Sequence, residues 1–95
     1  METTTITTQE ELDTAVAADP DGWHQVGDTN GKWIYAFAGS QVIADFGSQI
    51  YARAGSSVTA LQGALVDADL GAKIIAHDGS WVDAAAGAHI TRVKS

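Results

Sequence analysis

Cysteine is absent from the 95 residues, which excludes disulfide frameworks, thiolate zinc sites and thiol nucleophiles. No apolar stretch approaches the ~20 residues that a membrane-spanning helix needs. The opening METTTITTQEELD has neither the basic start nor the apolar run of a secretory signal. The expected location is therefore the cytoplasm of the producing cell or of an infected cell. Lysine and arginine are missing from residues 1–30, which hold seven acids: Glu2, Glu10, Glu11, Asp13, Asp19, Asp21 and Asp28. Residues 31–95 hold five acids and five bases, so the formal charge of −7 belongs to the amino-terminal segment. No basic stripe is present to displace counterions, which argues against direct binding to nucleic acid.

What the chain does have is glycine at 31, 39, 47, 55, 63, 71, 79 and 87, one every eight residues. With glycine at ~7% of residues, a run of eight such placements has a chance probability on the order of 10⁻⁹, so the spacing is a repeat. Aligned on it the chain reads GKWIYAFA, GSQVIADF, GSQIYARA, GSSVTALQ, GALVDADL, GAKIIAHD, GSWVDAAA and GAHITRVK. Serine or alanine dominates the second position. The fourth is always valine or isoleucine, from Ile34 to Ile90, and the sixth is alanine from Ala36 to Ala84 and then Arg92. A degenerate ninth unit, WHQVGDTN (23–30), keeps Val26 in the fourth position. Small, branched and small residues alternate with variable ones, which is the period of a strand. A glycine every eight residues would cost a helix about 1 kcal/mol each time; at the corner of a solenoid it supplies a positive φ.

Two positions give the number of octads per coil. The eighth is Ala38, Ala54, Leu70 and Ala86 in one set of octads, and Asn30, Phe46, Gln62, Asp78 and Lys94 in the other. The fifth alternates between Tyr35, Tyr51, Asp67, Asp83 and Ile43, Thr59, Ile75, Thr91. Three intertwined chains would not by themselves create this two-fold alternation. The predicted fold is therefore all-β: a single-chain, two-sheet β-solenoid of sixteen residues per coil over residues 31–95. Residues 1–30 form an acidic cap. Within it Thr8-Gln9-Glu10-Glu11 has capping-box spacing, Leu12 and Val16 share one helical face, and Asp19-Pro20-Asp21-Gly22 ends the helix. A helix over about 9–18 is expected to cover the first coil, since an open solenoid end is an unpaired sheet edge. The carboxyl end shows no comparable lid. Its last octad offers Ile90, Arg92 and Val93 as candidates for self-association, a homodimer being the simplest form, with Arg92 and Lys94 as the alternative of charged edge protection.

The octads from Gly31 to Lys94 resemble the G-[SA]-x-V-x-A-x-x repeats of predicted β-solenoid proteins from actinobacteria and their phages, and ITTQEELDTAVAADP resembles the lids that precede such repeats. At one remove the arrangement is similar to pentapeptide-repeat proteins, some of which mimic DNA and inhibit nucleic-acid enzymes. The resemblance implies an architecture and carries no catalytic motif.

His24, His77 and His89 have no ligand-set spacing, and His77-Asp78 has no paired nucleophile. The aspartate-rich turn that a calcium roll repeats in every coil is missing. The expectation is a chain that is not an enzyme and takes no metal or cofactor. Thr59 and Thr91 alternate with Ile43 and Ile75, so no threonine ladder suited to ice forms. One face is predicted to stack Tyr35 on Tyr51 beside Trp33 and Phe37, then Asp67 on Asp83 with Asp69 nearby. These residues are the candidate protein-binding site. Trp33 and Tyr35 could be covered by the lid, and Tyr51, one coil further on, is expected to be the more exposed. The expected function is protein binding without catalysis, in a phage-encoded inhibitor of a host or defence protein that handles nucleic acid. The alternative is a self-associating structural subunit, such as a spike, decoration or filament element.

Overall fold

A computed structural model describes residues 6–93. One helix, α1 (Gln9–Ala18), precedes nine strands: β1 (Trp23–Val26), β2 (Ile34–Ala36), β3 (Gln41–Ala44), β4 (Gln49–Ala52), β5 (Ser57–Ala60), β6 (Leu65–Ala68), β7 (Lys73–His77), β8 (Trp81–Ala84) and β9 (His89–Val93). Odd strands form one parallel sheet in the order β1-β3-β5-β7-β9, and even strands form a second, β2-β4-β6-β8. From β2 onward each strand faces the one sixteen residues later, as in Ser57 opposite Lys73 and Gln49 opposite Leu65. The chain is thus a two-sheet β-solenoid of sixteen residues per coil.

Strands occupy octad positions three to six, and the corners occupy seven, eight, one and two. At each corner the second-position amide donates to the seventh-position carbonyl, as Ser56 N does to Arg53 O at 3.0 Å. With glycine third in the turn at positive φ and a negative φ before it, this is the type II arrangement at every corner but the first. Gly63 (φ +84°) and Gly79 (φ +85°) show a further need: a Cβ there would collide with Phe46 and with Gln62 Cγ of the preceding coil. The second position points inward and is buried in Ser40, Ser48, Ser56, Ala64 and Ala72. Each of those serines donates its hydroxyl to the seventh-position carbonyl of its own turn, at 2.5–2.6 Å. The buried hydroxyl is thereby satisfied, which is why serine and alanine interchange at this place. Fourth-position Val42, Ile50, Val58, Val66 and Ile74 and the sixth-position alanines from Ala36 to Ala76 fill the space between the sheets, none more than 2% exposed.

The first coil departs from the octad. Trp23 faces Gln41, eighteen residues on, and Val26 pairs with Ala44. Val26 therefore fills the place of a sixth-position alanine, and the fourth-position place expected for it, beside Val42, is taken by His24. Two additional residues separate β1 from the corner, where Asn30 (φ 56°) and Gly31 (φ 82°) both lie in the left-handed region. Thr29, buried at this corner, has the one buried side-chain oxygen without a partner among the described residues. The first strand of the solenoid consequently lies inside the acidic segment.

Helix α1 closes the amino end of the roll. Thr8 is its N-cap and accepts from Glu11 N at 3.2 Å. The Glu11 carboxylate reaches one residue beyond the usual capping box, accepting from Thr7 N at 3.0 Å and from the Thr7 hydroxyl at 3.1 Å. These bonds favour the charged form and hold its pKa below the ordinary glutamate value. Leu12, 1% exposed, seals the core from above. Ile6 adds one parallel bridge to β1, accepting from Gly27 N and donating to Gln25 O. Gln9 does the same for the other sheet: its amide donates to Tyr35 O at 3.0 Å and accepts from Tyr35 N at 2.6 Å. Both amino-terminal edges are thus partly satisfied. At the opposite end, Val82, Ala88 and Ile90 are only half-buried and Ala84 is exposed.

Candidate functional site

Alternation sends the third and fifth octad positions outward. On the four-strand sheet, the fifth-position row runs Tyr35, Tyr51, Asp67, Asp83 in direct register across β2, β4, β6 and β8. The Tyr35 and Tyr51 rings stack with centroids 5.2 Å apart and planes 24° apart. Phe37 extends the cluster, 6.3 Å from Tyr35. Asp67 and Asp83 face one another across a single strand spacing, an unfavourable placement for two like charges. Asp69 is different: Arg53 lies 4.0 Å away. That pair is solvent-exposed and contributes little to stability, but it partly neutralises Asp69.

The lid leaves Trp33 (46% exposed) and Tyr35 (40%) open to solvent. The helix borders them without covering them, because Gln9 engages only the Tyr35 backbone. Tyr51 does not match its expected exposure. It is half-buried, since its ring lies between Tyr35 on one side and the Asp67 strand on the other.

Of the row at the third position, the reading of the sequence singled out Trp33 alone. The row is Trp33, Gln49, Leu65, Trp81, with Leu65 paired to Trp81. Trp81 is 74% exposed, the most open of the large apolar side chains described. The sixteen-residue spacing of Trp33, Gln49, Leu65 and Trp81 was the available signal. A second missed feature is a cleft of about 510 Å³ between α1 and β1, lined by Ile6, Ala15, Ala18, Trp23 and His24 among others. Two of its polar groups are already engaged: His24 Nε2 donates to Asp19 O at 2.8 Å, and Glu11 serves the cap. No sequence signal could have found it, because it depends on how the helix lies against the strand.

The outer face of the five-strand sheet is plainer. Gln41, Ile43, Ser57 and Thr59 lie side by side in β3 and β5. Ile90, Arg92 and Val93 belong to β9, which among the described residues pairs with β7 alone. Arg92 stands opposite Ala76, in the alanine register, yet is exposed because no coil among the described residues lies above it. Lys94 lies outside the described residues. Among those described, no three His, Asp or Glu side chains converge as a metal site would require, and no helix is long and apolar enough to cross a membrane.

No family model matches this chain. Neither a curated protein nor a solved structure matches it. The functional reading accordingly rests on the surface itself.

Proposed function

We propose that this chain is a non-catalytic protein-binding module that presents the outer face of its four-strand sheet to a basic surface on a partner. One observation carries the reading: Trp33, Tyr35, Phe37, Leu65 and Trp81, all exposed, share that face with the unpaired Asp67 and Asp83. Outward positions of a solenoid are free of packing demands, so aromatics and facing like charges there lower solubility or stability without helping the fold. The partner surface they fit is cationic with apolar surroundings, as proteins that handle nucleic acid present. In this reading the chain is an inhibitor that occludes such a surface on a host or defence protein, and a phage is the source we infer. Asp13 of the lid, beside Tyr35 and Phe37, extends the same sign of charge beyond the sheet.

The test is capture from lysate with matched variants. Tyr51→Ala with Asp67→Lys should leave the melting temperature within a few degrees and weaken capture of the bound protein roughly thirty-fold, because one interfacial aromatic is worth about 2 kcal/mol. Ser57→Ala with Thr59→Ala on the other face is the control. Loss of capture in the control pair alone would place the binding face on the five-strand sheet.

The uncovered carboxyl end favours a second reading, association of two copies through β8 and β9. Two parallel edges with an apolar core between them match the same end of another copy, and joining there keeps the two acidic lids far apart. A solution mass that rises with concentration, and falls to the monomer with Ile90→Lys, supports it; a monomer throughout removes it.

A further inference from the structure

On the four-strand face the third- and fifth-position rows enclose a groove of about 150 Å³, lined by Trp33, Leu65, Val66, Asp67, Trp81 and Asp83. Its walls are of two kinds. Two indoles and a leucine supply flat apolar surface, while two carboxylates one strand apart supply negative charge, with no lysine or arginine among the lining residues. Among the described bases, Arg53 lies beside Asp69, and none of Lys32, Lys73 or Arg92 lines the groove. The indole faces attract cations through their quadrupole, and the facing aspartates are relieved of mutual repulsion by a positive group placed between them.

We propose that this groove is a binding site for an arginine side chain from an extended segment of a partner protein. The aliphatic stem rests on Leu65, the guanidinium plane stacks on an indole, and its N–H groups donate to Asp67 and Asp83. Arginine suits these walls better than lysine. Its planar cation stacks on aromatic faces and offers several donors in a fixed fork, enough to serve two carboxylates at once. A lysine ammonium is a more strongly hydrated point charge that gains less from the flat walls. The site deepens the protein-binding reading above and rests on it, but it makes a separate demand on Trp33 and Trp81.

The probe is the capped peptide Ac-Ala-Arg-Ala-Arg-Ala-amide, compared with its lysine counterpart and with one carrying citrulline, the neutral isostere of arginine. Binding is read from the indole N–H resonances of the three tryptophans. The arginine peptide should move the Trp33 and Trp81 signals and leave Trp23, on the other sheet, in place. Citrulline should weaken binding by about ten-fold or more, as should Trp81→Ala, the scale expected when a desolvated cation–aromatic contact is removed. Trp81 is so exposed that its removal should leave the fold intact, and an unchanged melting curve verifies this. Asp83→Asn should weaken binding and flatten its salt dependence. Equal binding of arginine and citrulline peptides, shifts confined to Trp23, or no shift at millimolar peptide would overturn the proposal. Lysine binding as tightly as arginine would overturn the guanidinium assignment. If Trp81→Ala leaves partner capture intact while Tyr51→Ala with Asp67→Lys abolishes it, the face reading stands and the groove fails.

Discussion

The two ends of this solenoid are built from the same octads and finished differently. At the amino end, Leu12 closes the core while Ile6 and Gln9 hydrogen-bond to the first strand of each sheet. At the carboxyl end, Val82 and Ile90 occupy the same fourth position as fully buried Val58 and Ile74, yet remain half-open. Burial in a stacked coil is therefore a property of having a neighbour on each side, not of the residue or its octad position. A parallel coil at the end of a stack leaves a row of unpaired main-chain groups. One end meets that demand with an added segment, and β8 and β9 leave it unmet among the described residues.

The contrast is broken most directly by placing one charge at equivalent positions. Val58→Asp puts a carboxylate between packed sheets with no counter-ion, which should cost at least ~4 kcal/mol of the ~5–15 kcal/mol typical of a folded domain. Loss of the cooperative far-UV transition is the expected result. Val82→Asp, whose side chain reaches water at the open end, should cost less than ~2 kcal/mol. Equal losses, measured at low protein concentration, would mean that the carboxyl end is covered in solution.

A smaller effect should come from Gln9→Ala, which removes both bonds to the Tyr35 backbone. We expect a loss of about 1 kcal/mol and faster amide hydrogen exchange at Tyr35 than at Tyr51. If the two amides exchange as in the parent chain, the side-chain amide is not what secures the edge of the four-strand sheet.

The smallest effect concerns pH. The bonds from Thr7 lower the folded-state pKa of Glu11 below its unfolded value. A depressed carboxyl pKa contributes stability that is present above the unfolded value and lost as pH falls through the folded one. Glu11→Gln should remove that acid-side dependence and leave the rest of the stability profile alone. An identical acid limb in both proteins would show that the cap does not contribute through its charge.

Much of this architecture could be read from the chain. Glycine spacing located the corners, the Val and Ile positions located the core, and the alternation of Ala54 with Gln62 and Tyr51 with Thr59 separated the two faces. The Tyr35–Tyr51 stack and the Asp67–Asp83 pair lie where that periodicity puts them, and the helix lies where the Thr8–Glu11 capping spacing puts it. Val26 did not, because two extra residues before Asn30 shift the first strand by one inward step while keeping its alternation. Tyr51 is more covered than expected because exposure depends on the rings above and below it. Trp81 and Leu65 belonged to a row that was legible at sixteen-residue spacing, but their enclosure of a groove depends on how both indoles lie across the sheet.

The division follows the range of the forces involved. A positive φ at the corner and a two-residue side-chain alternation are set within a few neighbouring residues, so they recur with the octad and survive as a pattern in one dimension. How Gln9 meets the Tyr35 backbone and which end of the stack is sealed depend on segments far apart in the chain. Those contacts leave no periodic trace, and only the packed coils bring them together.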